Sequence, residues 1–221
     1  MRSALVLALL LCLAAGLAAE APRDDTASEL VELVLVDPTL RLDIRYATAD
    51  NFMGFRLYSQ ARAFLQKPAA EALKRANGSL REQGYGLVVY DGYRPWSVTR
   101  LMWDRSPPEW RGVYVADPAR GSRHNRGCAV DCSLFDLESG SPVDMPSGYD
   151  EFSPRAHADY AGAPPEQRRM RDLLRREMEK QGFTVLPEEW WHFDYQGWRA
   201  YPVLDVDFAR LDALRTDRGR E

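Results

Sequence analysis

Cysteine and histidine are scarce in this chain, and so are long apolar runs. Its 221 residues contain three cysteines and three histidines, so a disulfide-rich framework is excluded. The formal net charge is −4 and no basic tract occurs, which argues against nucleic acid as a partner. Beyond the N-terminus no apolar run is long enough to cross a bilayer, so we expect no membrane span. A small-molecule partner is therefore expected; the sequence does not indicate an oligomeric state.

The one sustained apolar run lies at the N-terminus. Residues 4–17 carry no charge, and Ala19-Glu20-Ala21 offers small residues at the cleavage positions. This layout predicts a signal peptide over residues 1–21 and a single domain over residues 22–221. The mature protein would then be exported, to the periplasm or the extracellular space. Lipid anchoring through Cys12 is the alternative, but the residues before it lack the small side chain of a lipoprotein signal.

Only Cys128 and Cys132 would persist after cleavage. Both fall in an apolar run over residues 128–135 that predicts a strand, where ~3.3 Å per residue separates their Cα atoms by about 13 Å. A disulfide needs Cα atoms roughly 4.4–6.8 Å apart, so we expect two free thiols. Alternation along the strand directs them into the core and Asp131 to the other face.

Hydrophobic periodicity and turn residues predict an α+β domain, in which an antiparallel sheet is flanked by helices. Residues 138–163 are rich in Gly, Pro, Ser and Asp, and we expect a long loop there. The pair Asn77-Gly78 weakens one helix and could break it. The predicted strands cover residues 30–36, 40–46, 86–90, 128–135, 183–185 and 190–195, and the predicted helices cover residues 68–83, 95–105 and 165–181.

The segment Ser122-Arg-His-Asn-Arg-Gly-Cys-Ala-Val-Asp131 sets His124 and Asp131 seven residues apart, across a glycine. A carboxylate in an apolar strand is costly to bury unless it is paired or binds a metal. A single histidine near a turn is more often a structural hydrogen-bonding group. Together the two residues leave a metal site and a structural pair as open alternatives.

A second histidine follows in Glu189-Trp-Trp-His192. Two histidines and an aspartate suit zinc with a fourth position left open, and a nearby glutamate could move protons. The alternative is a histidine within an aromatic core. Residues three apart point to opposite faces of a regular strand. Either Glu189 precedes the strand at a bend, or Glu188 is the inward acid; the spacing does not decide.

Arg94 follows a predicted strand in Gly-Tyr-Arg-Pro, a turn from which its guanidinium could reach a cleft. The alternative is a surface arginine held by a local carboxylate such as Asp91. The third histidine, His157, lies in a polar loop with no ligand-like pattern around it, and we predict that it is exposed.

These segments together resemble the zinc-dependent D-alanyl-D-alanine dipeptidases, the family that includes the vancomycin-resistance dipeptidases. The resemblance spans nearly the whole mature chain, from Arg45 through Trp191. Four sequence segments carry the resemblance, and the last two of those listed next, occurring in this order, are specific to the family. They are Arg45-Tyr-Ala-Thr-Ala-Asp-Asn-Phe52, Asp91-Gly-Tyr-Arg-Pro95, Ser122-x-His-x-x-x-Gly-x-Ala-x-Asp131 and Glu189-x-Trp-His192.

The resemblance implies a mononuclear zinc cleft, with one Zn²⁺ per chain, and a role for each matching residue. Glu189 would be the catalytic acid–base, and Arg94 would stabilise the oxyanion. The small dipeptide D-Ala-D-Ala would be the substrate. The implied zinc ligands are His124, Asp131 and His192, and the implied substrate contacts are Ser122, Asp150 and Tyr46, with Asp150 near the ammonium group.

Two other functions compete with this reading. A D,D-carboxypeptidase on longer peptidoglycan peptides would share the metal site and differ in the surrounding loops. A non-catalytic zinc-stabilised binding module would need the ligands but neither Glu189 nor Arg94. The chain also departs from the family by Cys128 and Cys132, which replace small or apolar residues. Its predicted signal peptide favours work on wall-derived peptides outside the cytoplasm over a strict resistance role.

Overall fold

A computed structural model describes residues 29–211 of the chain. The predicted signal peptide lies outside the described residues. The main feature of the fold is a five-stranded sheet with strand order β2-β4-β5-β7-β6. Its neighbours pair antiparallel except β2 and β4, which run parallel. The strands are β2 (Arg41–Leu42), β4 (Tyr85–Asp91), β5 (Ala129–Asp136), β6 (Phe183–Leu186) and β7 (Glu189–Tyr195).

Two further strands form a separate antiparallel pair, and the helices pack around the sheets. Among the described residues the pair consists of β1 (Leu30–Glu32) and β3 (Phe64–Gln66). The α+β class predicted from the sequence is confirmed, and the three predicted helices lie close to their predicted bounds. The helices are α1 (Leu33–Val36), α2 (Lys67–Arg81), α3 (Trp96–Arg105) and α4 (Pro165–Glu179). Over residues 29–211, none of them is both long and apolar enough to cross a membrane.

The predicted strand over residues 30–36 is wrong in its second half. After β1 the chain turns into α1, which buries Leu33 completely and leaves Leu35 59% exposed. A short apolar run does not distinguish a strand from a helical turn. The Leu33 amide still pairs with the neighbouring strand segment, through the carbonyl of Ala63 at 3.0 Å, and the Asp37 amide closes the helical turn on the Leu33 carbonyl at 2.8 Å.

The predicted strand over residues 40–46 is also too long. Only β2 pairs with the sheet, and Arg45–Ala47 form a 3₁₀ turn that carries Tyr46 inward, where it is 2% exposed. The amides of Leu57 and Tyr58 both donate to the Tyr46 carbonyl. The returning chain therefore pairs with this turn where a continuing strand was predicted.

Helix α2 runs unbroken through Asn77-Gly78, contrary to the suspected break. Asn77 is fully buried, and its amide nitrogen donates to Asp37 Oδ2 at 2.8 Å and Thr39 Oγ1 at 2.9 Å. Its amide oxygen accepts from the Leu87 amide at 2.9 Å. The polar residue in the helix thus joins α2 to the turn before β2 and to β4.

The loop and cysteine predictions are confirmed. Between β5 and α4 the chain is irregular apart from the 3₁₀ turn Pro154–Ala156. Cys128 and Cys132 are both buried and free. His157 is exposed, as predicted.

Candidate active site

Three neighbouring strands carry the polar side chains of the site to one level of the sheet. Asp131 on β5 pairs with Asp91 on β4 and with His192 on β7. His124 precedes β5 in the 3₁₀ turn His124–Arg126, which ends at Gly127 with φ of 66°. Glycine adopts this left-handed conformation without strain, and a Cβ here would lie 2.4 Å from Leu30 Cδ2 and 3.2 Å from the Gln66 backbone nitrogen, so a larger residue would force its neighbours to shift.

His124, Asp131 and His192 bring three ligand atoms together in a buried cluster. One ligand atom from each lies within 4.8 Å of the other two, and all three residues are buried. Asp131 Oδ1 lies 3.0 Å from His192 Nδ1 and 3.4 Å from His124 Nε2, and the two imidazole nitrogens are 3.2 Å apart. The expected ligand trio therefore converges on one point, a donor set suited to a divalent metal.

In each of the three side chains, the nitrogen or oxygen that faces away from the cluster has its own hydrogen-bond partner. The atom that faces the cluster is therefore available to bind a metal ion. His124 Nδ1 is 2.7 Å from the Gly92 carbonyl, and His192 Nε2 is 3.0 Å from Asp194 Oδ1. Tyr149 donates its hydroxyl to Asp131 Oδ2 at 3.0 Å. Hydrogen bonds of this kind orient metal ligands and select the histidine tautomer. The residues present therefore fit a metal ion.

The charges of the cluster are strongly coupled. Burial lowers the pKa of His192, but hydrogen bonds to Asp131 and Asp194 outweigh it and raise that pKa to about 10. Burial raises the pKa of Asp131, yet the charge and hydrogen bond of His124, followed by those of His192, hold it well below its usual value. A positive charge is therefore favoured next to the Asp131 carboxylate, at the point where the three side chains meet.

Glu189 lies beside the cluster, with Oε2 3.8 Å from His192 Nδ1. The pairing of β6 with β7 shifts at Leu186, which faces Glu189 where a regular register would bring His192. Glu189 thus sits at the irregular start of β7 and reaches the same side as His192. Glu188, the alternative acid, is exposed in the turn. Burial raises the pKa of Glu189, and Asp131 raises it further against the opposing charge of His192.

Arg94 both faces the cleft and is held by Asp91, so the two alternatives from the sequence coexist. Its Nη2 and Nε lie 2.7 and 3.0 Å from Asp91 Oδ2. Tyr58 donates to the other oxygen of Asp91 at 2.7 Å. Burial lowers the pKa of Arg94, but the charge of Asp91 raises it well above the usual value. The guanidinium is therefore a fixed, permanent cation on one wall.

The three expected substrate contacts line the same cleft. Tyr46 donates to Asp150 Oδ2 at 3.1 Å, and Asp150 has a positive φ of 57°, which is uncommon outside glycine. Burial, with the charges of Asp131 and Glu189, raises the pKa of Asp150 well above its usual value. Ser122 Oγ accepts from the His124 amide at 3.1 Å, so it also supports the turn that carries His124.

The cleft has a volume of about 540 Å³ and an aromatic wall. Phe152 stacks on Tyr114 with ring centroids 4.2 Å apart and contacts Phe52 and Trp110 edge to face, each at 5.2 Å. The sequence did not single out Phe152, Tyr149 or Asp194. For Asp194 a signal existed, since it shares a strand face with His192. An arrangement of two imidazoles, carboxylates and a guanidinium in one cleft is typical of metal-dependent hydrolases.

Comparison with known proteins agrees with this class. The peptidase family model described as D-Ala-D-Ala dipeptidase matches residues 26–209. The D-alanyl-D-alanine dipeptidase of Escherichia coli K12 is 39% identical over 182 residues, which cover 82% of this chain and 92% of that protein. The enzyme of the same name from Enterococcus faecalis is 33% identical over 187 residues, covering 77% and 92%. That from Enterococcus faecium is 34% identical over 190 residues, covering 76% and 92%.

The chain belongs to the D-Ala-D-Ala dipeptidase family of peptidases and is a hydrolase. Among solved structures, an LD-carboxypeptidase is 22% identical, with a TM-score of 0.41 over 62% of this chain and 61% of that one. That likeness is too distant to add to the family assignment.

Proposed function

We propose that the protein is a zinc metallopeptidase that hydrolyses the dipeptide D-Ala-D-Ala to free D-alanine. The observation that carries the proposal is the convergence of His124, Asp131 and His192 beside Glu189, in the same cleft as a fixed Arg94. The family assignment supports the substrate, because the relatives that cover most of this chain are named for it.

The balance of charge supports a divalent cation and a substrate ammonium group together. Asp91, Asp131, Asp150 and Glu189 contribute four carboxylates, and Arg94 contributes one guanidinium. Burial and the neighbouring carboxylates raise the pKa of Asp150 and of Glu189, because negative charge accumulates in a largely buried site. A divalent cation and a substrate ammonium group would compensate this charge.

Zinc held by His124, Asp131 and His192 would polarise the peptide carbonyl and lower the pKa of a water toward neutrality. Glu189 accepts a proton as water attacks the peptide carbonyl and delivers it to the leaving amine. The raised pKa of Glu189 suits both halves of this transfer, since the group must take up and release a proton near neutral pH.

Arg94 stabilises the oxyanion that develops on the attacked carbonyl. Its two hydrogen bonds to Asp91 Oδ2 hold the guanidinium in place before the reaction, so little reorganisation is required in the transition state. Asp150, with its carboxylate oriented by Tyr46, binds the substrate ammonium. Ser122 lines the cleft next to His124 and contacts the dipeptide.

Export of the protein is part of the proposal. It is supported by the uncharged apolar run over residues 4–17 and by the small residues Ala19 and Ala21 that follow it, which is the layout of a cleavable signal peptide. An exported dipeptidase would meet wall-derived dipeptides outside the cytoplasm. Cell fractionation with mass measurement of the purified protein tests this point, and an intact N-terminus in the cytoplasmic fraction would contradict it.

The direct test is release of D-alanine by the purified, zinc-loaded protein. D-Ala-D-Ala is compared with L-Ala-L-Ala and with a pentapeptide stem ending in D-Ala-D-Ala. We expect chelator-sensitive cleavage of the D,D-dipeptide alone. Cleavage of the stem would favour the D,D-carboxypeptidase, which has the same catalytic requirements. Zinc binding with no cleavage of any peptide would favour a zinc-stabilised binding module.

A further inference from the structure

The imidazole of His192 has a carboxylate partner on the side away from the ligand cluster. Asp194 Oδ1 lies 3.0 Å from His192 Nε2, and the two residues share a face of β7 because they are two positions apart. The same carboxylate extends to Arg123, whose Nε lies 3.4 Å from Asp194 Oδ2. The Arg123 guanidinium rests over the Trp198 ring, 4.9 Å from its centroid.

We infer that Asp194 is the positioning residue of His192 and that Arg123 connects it to the loop that carries His124. The inference rests on the zinc site of the proposed function and assigns a role to residues that the proposed catalysis does not use. Asp194 acts through His192 and does not touch the substrate.

The argument begins with the two tautomers of a neutral imidazole. A metal needs the lone pair on the nitrogen that faces it, so the other nitrogen must carry the proton. In His192 the nitrogen that faces the cluster is Nδ1, and Nε2 faces the Asp194 carboxylate. An ionised carboxylate accepts hydrogen bonds and has no proton to donate. Asp194 therefore selects the tautomer in which Nδ1 is free for the metal.

The two histidines differ in how this selection is made. The outer nitrogen of His124 meets a backbone carbonyl, that of Gly92, which no substitution removes. The outer nitrogen of His192 meets a side chain, so its contribution can be measured. Asp194 is 14% exposed in its side chain, so its hydrogen bond is only weakly screened by solvent.

Arg123 links the segment that carries His124 to the strand that carries His192. It directly precedes His124 in the chain, and its partner Asp194 lies two residues after His192. The ion pair therefore spans the gap between the turn before β5 and strand β7. Because the Arg123 side chain is 44% exposed, its pairing contributes less than the buried hydrogen bond of Asp194.

The test measures zinc affinity by competition with a chromogenic chelator, with no peptide present. Loss of a carboxylate that orients a ligating histidine typically weakens metal binding roughly 10–100-fold, and we expect Asp194→Ala in that range. Asp194→Asn should fall at the lower end, because an amide oxygen can still accept from Nε2–H. Arg123→Ala should weaken binding less than about fivefold, as a partly exposed ion pair does.

The matched control is Asp104→Asn, which breaks another Asp–Arg pair, with Arg100 at 2.8 Å on the exposed face of α3. It should leave zinc affinity unchanged. A spectroscopic readout separates positioning from general support of the fold. The visible spectrum of the cobalt-substituted protein should change in the Asp194 variants and should not change in the control.

An Asp194→Ala protein that binds zinc as tightly as the control overturns the inference. If that variant does not fold, Asp194→Asn decides, and unchanged zinc affinity in it has the same meaning. Failure to cleave D-Ala-D-Ala would defeat the proposed function without touching this result, since no peptide is used. Absence of zinc binding by the unaltered protein would remove the basis of both.

Discussion

The Arg94 guanidinium and the Asp91 carboxylate form a buried pair at the wall of the cleft, with Nη2 2.7 Å from Oδ2. Both hydrogen bonds from Arg94 to Asp91 end on the same oxygen, while Tyr58 donates to the other. Nη1 also donates to Met102 Sδ at 3.5 Å, which leaves two of the five N–H donors of the guanidinium for the cleft. The pair explains how one cation can be both structurally held and available for catalysis.

Arg94→Lys should therefore lower kcat strongly. A lysine cannot reproduce two parallel hydrogen bonds to Asp91 and also direct a donor at the oxyanion, so we expect a loss of roughly 10²–10³-fold, as for removal of an oxyanion-stabilising group. Zinc content should not change. Steady-state kinetics on D-Ala-D-Ala provide the measurement, with Arg100→Lys on exposed α3 as control. A kcat within a factor of two of the unaltered protein would contradict the role of Arg94.

Glu189→Gln should bind zinc normally and lose most turnover. The amide is close in shape to the carboxylate but cannot take up the proton of the attacking water, and general acid–base catalysis contributes about 10²–10⁴-fold. Metal content by atomic spectroscopy and kcat should be measured on the same preparation. Glu188→Gln, in the exposed turn next to it, is the matched control and should keep full activity. Near-normal turnover of Glu189→Gln would exclude it as the acid–base.

His124→Ala should abolish stable zinc binding. Removing one of three protein ligands leaves His192 and Asp131 facing each other as an ion pair, 3.0 Å apart, with no third ligand to complete the site. The comparison is zinc stoichiometry after dialysis, beside the exposed His157→Ala. We expect about one zinc per chain in the His157 variant. Full occupancy in the His124 variant would show that the ligand set is wrong.

Much of the sheet, and the grouping of His124, Asp131 and His192, could be predicted because the signals are local and rare. The strands β4, β5 and β7 are rich in apolar and aromatic residues, and α2 and α4 have a helical apolar stripe between clear start and stop residues. Only three histidines occur in the chain, so a second one beside an acid restricts the possible ligand sets.

The rest depends on contacts between distant segments. The segment before α1 pairs with residues 64–66, more than thirty residues later in the chain, and β2 pairs parallel to β4, which the alternation of residues along a strand does not predict. Tyr149 lies in a long irregular loop, and only the folded chain returns its hydroxyl to Asp131. The irregular pairing at the start of β7 likewise brings Glu189 to the same side of the sheet as His192. In a regular strand, residues three positions apart would face opposite sides.

Asn77→Ala should destabilise the fold, although Asn77 does not line the cleft. It leaves the buried Leu87 amide without its acceptor and removes a donor from Asp37, and an unsatisfied buried group costs about 1–3 kcal/mol. Urea unfolding of the chelated protein gives the free energy of unfolding. The neighbouring Gly78→Ala meets open space and should instead stabilise the helix by up to ~1 kcal/mol. Equal effects of the two substitutions would contradict the role of Asn77.

Asp37 should make stability fall in acid through the same contacts. Burial raises the pKa of this carboxyl, but hydrogen bonds from Thr39 and Asn77 outweigh it and hold the pKa below its ordinary value. A carboxyl with a depressed folded-state pKa contributes stability that is present above its unfolded-state pKa of about 3.9 and is lost as the pH falls through the folded-state value. The unfolding free energy of chelated Asp37→Asn should therefore decline less than that of the unaltered protein from pH ~5 downwards. Chelation keeps zinc release out of the comparison, because metal bound only by the folded state would add its own pH dependence. Parallel curves for the two proteins would show that Asp37 is not a source of the acid sensitivity.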